Sequence, residues 1–387
     1  MIPYGRQEIT EEDIAAVTEA LRAELITQGP RVPAFEADLA DRVGAAHAVA
    51  MNSASSALHA ACRALGLGPG GLMWTSPVTY VASPNAARLC GADVDFVDVD
   101  PETLNMDPAA LAARLAEARE RGRLPDVVMP VHFAGRSCDM RAIGALAEEY
   151  GFRVIEDAAH AVGARHAGAP VGACMFSDIT VFSFHPVKIV TTGEGGAATT
   201  DDPELAARLR RVRSHGVTRD TDDVPDAPDG PWAYAQVELG GNYRMTEMQA
   251  ALGRSQLRRL TTYVERRNAL AERYDRALAH LPVTPTPRPA PPDLSACHLY
   301  AVRLDAELVP RRRRIFEAMR AAGVGVNVHY IPVHTQPYYR ARGFAPGDFP
   351  EAERYYAGAL TLPLFPTMAE ADQDRVVAAL ERALDTA

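Results

Sequence analysis

The segment "SFHPVKIVTTGEGG", residues 183–196, holds the only lysine in the chain; the other 39 of its 40 basic residues are arginine. Codon bias in a GC-rich genome accounts for the arginines but not for the place of the one survivor. Lys188 follows an apolar, strand-like run and precedes the glycine-rich turn at 193–196, in a neighbourhood of apolar and small polar residues rather than on a charged face. A guanidinium stays protonated and cannot condense with an aldehyde, whereas a desolvated lysine loses its proton and becomes a nucleophile. Chemistry that needs a primary amine is the demand arginine cannot meet.

Pyridoxal phosphate is the aldehyde cofactor that such a lysine suggests, and it makes further demands. Its ring nitrogen needs an acid, its ring a stacking partner and its phosphate a set of donors. In "VIEDAAHA", Asp157 ends a predicted strand, with Glu156 pointing to the opposite side and His160 three residues on, within reach of the same ligand. An N-cap on the following helix would also explain Asp157. In "MNSASSALHAACRAL" small hydroxyl residues run into a helix whose apolar positions Leu58, Ala61, Cys62 and Leu65 keep helical spacing. Its N-terminus, with Ser55 and Ser56, suits an anion, although capping alone also places serine there. Tyr80, after another strand, lies over a planar ring or else in the core. Ser183 is a further phosphate or ring donor.

These residues need a scaffold, and the chain between about 47 and 200 supplies one. The runs "HAVAM", "LMWTS", "VDFVDVD", "VVMPVHFAG", "FRVIED" and "ITVFSFH" read as strands, alternating with helical stretches such as "PAALAARLAEARERG" and "MRAIGALAEEYG", the second closed by a glycine C-cap. Alternating strands and helices predict an α/β domain with a mostly parallel sheet, its ligands gathering at the carboxyl ends of the strands. The acidic, proline-rich segment 219–231 reads as a mobile surface loop. A second proline-rich stretch at 283–295 leads into a smaller α+β region. The expected division is a large domain over 1–250, including the N-terminal segment, and a small C-terminal domain over 251–387.

Composition narrows the function classes. The chain has 387 residues, of which 47% are hydrophobic, and can bury a large core. Its net charge of −10 argues against a nucleic-acid partner; the run Arg311–Arg314 reads as a solvated helix face. The polar N-terminus and the lack of a long apolar run predict a cytoplasmic protein without a membrane segment. Five scattered cysteines suggest neither a disulfide framework nor a zinc site, and the 11 histidines lack metal-ligand spacing, so no metal is expected.

Taken in order along nearly the whole chain, "ITQGPRVPAFE", "NSASSALHAACRALGLGPG", "VDFVDVDPETLNMD", "VHFAGRSCDM", "IEDAAHAVGA", "FSFHPVKIVTTGEGG", "RSHG" and "GGNYRMTEMQAALGRSQL" resemble the DegT/DnrJ/EryC1/StrS sugar aminotransferases. The resemblance implies fold type I, the aspartate-aminotransferase-like fold of pyridoxal-phosphate transferases. It also implies that Lys188 binds the cofactor aldehyde, that Asp157 partners the pyridinium and that His160 contacts the ring. By the same resemblance Ser55, Ser56 and Ser183 bind phosphate, Tyr80 stacks, and Asn242 in "GGNYR" reaches the phosphate of a neighbouring subunit, which implies a homodimer. Thr27, His329 and Tyr330 match places near the sugar nucleotide.

"IPYGRQEIT", "WTSPVTYVAS", "AGRSCDM" and "NVHYIPVH" are most similar to the branch that aminates C4 of UDP-4-keto-6-deoxy-N-acetyl-L-altrosamine for pseudaminic acid, with L-glutamate as the implied donor. Other dTDP- or antibiotic keto-sugars and a cofactor-binding regulator are the competing readings. A sugar 3-dehydratase is disfavoured, because those relatives carry histidine in place of the lysine. Three positions depart from the family pattern. Ser55 stands where threonine is frequent, "GPGGLM" lacks a usual acidic residue, and Pro84 interrupts the segment after Tyr80.

Overall fold

The computed structural model describes residues 1–219, 230 and 232–386; most of the segment 219–231, expected to be a surface loop, lies outside the described residues. Seven strands form the main sheet: β1 (His47–Met51), β2 (Leu72–Thr75), β3 (Asp93–Phe96), β4 (Val127–Met129), β5 (Arg153–Asp157), β6 (Ile179–Ser183) and β7 (Gly196–Thr200). Their spatial order is β1-β7-β6-β5-β4-β2-β3. All pairings are parallel except those of β7, which lies antiparallel between β1 and β6. The six strands expected from the apolar runs are all present. "GAATT", which became β7, was not anticipated, because small residues carry little strand signal.

Buried strands need cover on both faces, and the helices provide it. They are α1 (Glu11–Leu21), α2 (Arg31–Val43), α3 (Ala54–Ala64), α4 (Ala82–Leu89), α5 (Pro108–Glu120), α6 (Met140–Tyr150) and α7 (Pro203–Arg213). One apolar cluster joins α3 and α7 to the sheet through Leu58, Ile155, Val181 and Leu209. Another joins α5 and α6 to the β2–β4 side through Trp74, Leu115 and Ile143. As the sequence suggests, α6 ends on Gly151 in the left-handed conformation, φ 80°.

Two further helices, α8 (Glu247–Leu257) and α9 (Leu260–Leu278), lead to an antiparallel sheet of β8 (Val283–Pro285), β9 (Tyr300–Leu304) and β10 (Ala359–Leu362), covered by α10 (Arg312–Ala321) and the helix Glu370–Thr386. The long α9 changes partners along its length. Leu260, Tyr263 and Val264 pack with the main sheet, and Leu270, Ala271, Tyr274 and Leu278 with the second. The two cores therefore meet inside α9, beyond residue 250. The N-terminal end of the chain also belongs to the second core: Ile2 is buried there and exchanges backbone hydrogen bonds with Gly323 and Gly325. In the arginine run, Arg313 and Arg314 are exposed, but Arg312 is half-buried over the Tyr356 ring and bonds its carbonyl. No helix among the described residues is long and apolar enough to cross a membrane.

Candidate active site

The carboxyl ends of β1, β2, β4, β5 and β6 open onto one cavity of about 500 Å³. The strands deliver most of the residues near their ends: Ser53 and Ser55 after β1, Thr79 and Tyr80 after β2, Val131 after β4, Asp157 and His160 from β5, Ser183, His185 and Lys188 from β6, while Ser83 comes from the first turn of α4. The far wall is Tyr4 with Asn327, His329 and Tyr330, which come from the second core's side of the chain.

Lys188 is half-buried in the turn after β6, its backbone N–H donating to the His185 carbonyl at 2.9 Å. Burial pushes its ammonium pKa down to about 8, against the upward pull of the Asp157 charge. Of the glycines that follow, Gly193 takes a left-handed φ of 83° with open space around it, while Gly196 is there for close approach. A Cβ on Gly196 would sit 2.5 Å from the Ala54 nitrogen, so only glycine lets the start of α3 seat against β7.

Asp157 is buried, and both its oxygens are fixed. Ser83 Oγ donates to Oδ2 at 2.6 Å and the Ala159 N–H to Oδ1 at 3.0 Å. It therefore fills both the ligand-facing place and the local turn-capping role that its position allows. Ser83, itself bonded to Thr79 Oγ1 at 2.7 Å, was not anticipated as a site residue. Its position three residues after Tyr80, in the turn that closes when the Ser83 N–H donates to the Tyr80 carbonyl at 3.2 Å, is the signal that could have found it. Pro84, expected to disturb this segment, sits in the first turn of α4, where no intrahelical N–H partner is lost.

At the start of α3, Ser53 is the N-cap, its Oγ accepting the Ser56 N–H at 3.1 Å. Ser55 lines the cavity. Ser56 does not, since its hydroxyl donates to Asn52 Oδ1 at 2.7 Å and contacts Ser53; it shapes the helix start behind Ser55. Ser183 lines the cavity and caps the turn to His185. Tyr80 is 63% exposed at the cavity rim rather than in the core, leaving its ring free to cover a ligand.

His160 is buried, and its pKa is held well below the usual value by burial and then by the nearby Lys188 charge. Its Nε2 lies 3.1 Å from the Tyr330 hydroxyl, whose ionisation burial suppresses. Either group can donate in this contact, and the other ring nitrogen of His160, Nδ1, is buried with no partner among the described residues. His329 is likewise kept neutral, its pKa lowered to about 4 by burial and Lys188; its ring is held by Thr361 Oγ1 at 2.9 Å and Asn327 at 3.3 Å.

Two expected residues lie elsewhere. Thr27 is exposed and bridges Thr246, and Asn242 is exposed with its carbonyl accepting from Asn52 at 3.2 Å. Neither lines the cavity of its own chain. Tyr4 does line it, through a β-core contact in which Leu364 N–H bonds its carbonyl; no spacing in the sequence could have placed it there.

The residues fit pyridoxal phosphate. An amine of lowered pKa, a fixed carboxylate, a helix N-terminus with Ser55, an exposed aromatic and an imidazole nitrogen unpartnered among the described residues share one cavity. The profile of the DegT/DnrJ/EryC1/StrS aminotransferase family matches residues 7–381. The spore coat polysaccharide biosynthesis protein SpsC of Bacillus subtilis is 40% identical over 382 residues, covering 98% of this chain and 96% of that protein. Among solved structures, PseC of Helicobacter pylori, an aminotransferase involved in the biosynthesis of pseudaminic acid, superposes with a TM-score of 0.91 at 28% identity over the full length of both chains. DesV of S. venezuelae gives 0.84 at 34% identity, over 96% of this chain and 94% of its own.

Proposed function

The chain belongs to the DegT/DnrJ/EryC1/StrS family and is a pyridoxal-phosphate-dependent sugar aminotransferase, and we propose that it moves an amino group from L-glutamate to C4 of a nucleotide-linked 4-keto-6-deoxy sugar. The sugar in this proposal is UDP-4-keto-6-deoxy-N-acetyl-L-altrosamine, on the route to pseudaminic acid. The observation that carries the reading is the single lysine sharing its cavity with a fixed Asp157 and with a polar far wall of Asn327, His329 and Tyr330. The likeness to PseC and the wording of the motifs favour this sugar. The likeness to SpsC favours a second reading, another aminosugar destined for a surface polysaccharide.

When bound, pyridoxal phosphate supplies the electron sink and carries the amino group between the two half-reactions. Asp157, oriented by Ser83, would hold the pyridine end. The α3 N-terminus with Ser55 and Ser183 receives the phosphate, and Tyr80 covers the ring face. His160 presents its unpartnered Nδ1 side to the ring. The Lys188 amine would take the proton from the donor's Cα in the first half and return one to the sugar carbon in the second, which would set the stereochemistry. A pKa near 8 lets the same amine act as base and acid near neutral pH.

We also infer a homodimer in which Asn242 and Thr27 serve the partner's site. Both are exposed, and both lie in segments rich in exposed apolar side chains: Ile14, Leu21, Leu25 and Ile26 in one, Trp232, Tyr234, Val237 and Leu239 in the other. We place the reaction in the cytoplasm, in keeping with five free cysteines. The test is a half-reaction. Enzyme converted to its amine form by L-glutamate should regain its aldehyde absorbance with the UDP-altro-configured 4-keto sugar faster than with dTDP-linked or gluco-configured keto-sugars. A faster return with one of those substrates would replace the proposed sugar.

A further inference from the structure

A second cavity, of about 560 Å³, lies away from the cofactor site on the edge-strand side of the main sheet. It is bounded by β3, α5, the end of α4 and residues 339–344, and falls in the size range of small-molecule sites. Five arginines line it, at 88, 114, 121, 123 and 342, against the three carboxylates Asp93, Asp95 and Glu117, in a chain whose overall charge is −10. Arg88 and Arg123 share the single carboxylate Asp93, at 3.1 and 2.9 Å, while Arg114 pairs with Asp95 at 2.5 Å and Arg121 with Glu117 at 3.4 Å. Arg342 has no carboxylate partner among the described residues; it rests on the Tyr338 ring and donates to that residue's carbonyl.

Guarding the edge of a sheet would explain arginines at this place, but two features go beyond that. Arg88 Nε and the indole Nε1 of Trp74, a residue only 3% exposed, are buried donors without acceptors among the described residues, and both residues line the cavity. Five guanidiniums against three carboxylates, with Arg342 lacking a carboxylate partner among the described residues, call for a ligand rich in acceptor oxygens. Aromatic walls, Trp74, Tyr339 and Phe344, suit a planar or apolar remainder. We propose that this groove is a second, non-catalytic binding site for a phosphate-bearing ligand. The helix α4 lies between the two sites, with Arg88 in its last turn here and Ser83, the partner of Asp157, in its first.

The chain has two tryptophans, Trp74 and Trp232, so a Trp232→Phe holoenzyme reports on the groove through its one remaining indole. Titration with inorganic pyrophosphate and, separately, with uridine monophosphate is expected to change Trp74 emission saturably. The change should need at least tenfold more ligand after Arg123→Glu with Arg342→Glu, or after Arg342→Gln alone should the double variant not fold. Tighter binding of the nucleotide would assign the aromatic wall to a base, and tighter binding of pyrophosphate would assign the site to phosphate groups alone. Three results would overturn the proposal: no change with either ligand, a change unaffected by the substitutions, or an equal response to sulfate at matched ionic strength.

Discussion

Glu156 and Asp157 are neighbours on β5 and face opposite sides of the sheet. Asp157 opens onto the cavity. Glu156 lies on the far side, where it accepts from His132 Nε2 at 2.7 Å, Ser177 Oγ at 2.5 Å and Thr180 Oγ1 at 2.9 Å. His132 Nδ1 in turn accepts the Cys138 N–H at 3.2 Å, so the imidazole proton points at Glu156. Burial alone would raise the Glu156 pKa, but these hydrogen bonds outweigh it and hold the carboxyl below its usual range. One carboxylate is fully used by the protein, and the other keeps a face for a ligand. Strand alternation alone separates scaffold from chemistry here.

The largest effect belongs to the residue on the Asp157 side that makes the covalent contact. Lys188→Ala and Lys188→Arg should lower transamination by at least about 10⁴-fold, to background, because proton transfer and nucleophile are lost together; substantial turnover by either variant in a steady-state assay would refute the assignment. Next come the two acids themselves. Asp157→Asn should cut turnover on the order of a hundredfold while leaving the melting temperature nearly unchanged. Glu156→Gln should do the reverse, costing about 1–3 kcal/mol of stability in denaturant titration with normal turnover per folded molecule. Equal behaviour of the two variants would erase the distinction between the faces.

The pH dependence sharpens the same contrast. With a Lys188 pKa near 8, loading of the cofactor onto apoprotein should quicken as pH rises towards 8 and level off above it, since only the neutral amine reacts. Asp157 raises that pKa, so in Asp157→Asn the midpoint should move to lower pH, whereas Glu156→Gln should leave it in place. Stopped-flow absorbance at a series of pH values reads this directly. The smallest effect is expected for Ser83→Ala, which frees one oxygen of Asp157. A loss of about tenfold in turnover, about 1.4 kcal/mol, would suit the removal of one charge-assisted hydrogen bond.

Much of the large sheet and the inner wall of the site could be read from the sequence, because strand-end positions are local. A strand that ends on Asp157 or Ser183 needs only its own alternation to say where the side chain goes, and Lys188 stands out as the one amine in the turn that follows. The unread parts depend on long-range packing. Tyr4 reaches the cavity by joining the second core, β7 is built from small residues without alternation, and the division of α9 between two cores leaves no mark in its helical pattern. Thr27 and Asn242 show the same limit from the other side, since nothing in one chain's sequence spacing says whether a residue serves its own cavity or a partner's. Subunit mixing can decide that. If Asn242 acts across the interface, Lys188→Ala mixed with Asn242→Ala should regain activity that neither variant has alone.

The most direct test uses the scarcity of amines in this chain. Lys188 and the N-terminus are its only primary amines, so borohydride reduction of the cofactor-loaded protein should add a single pyridoxyl group, found by peptide mass mapping on the fragment that carries residue 188. A tag confined to the N-terminus, or a colourless protein with that fragment unmodified after incubation with cofactor, would contradict the account.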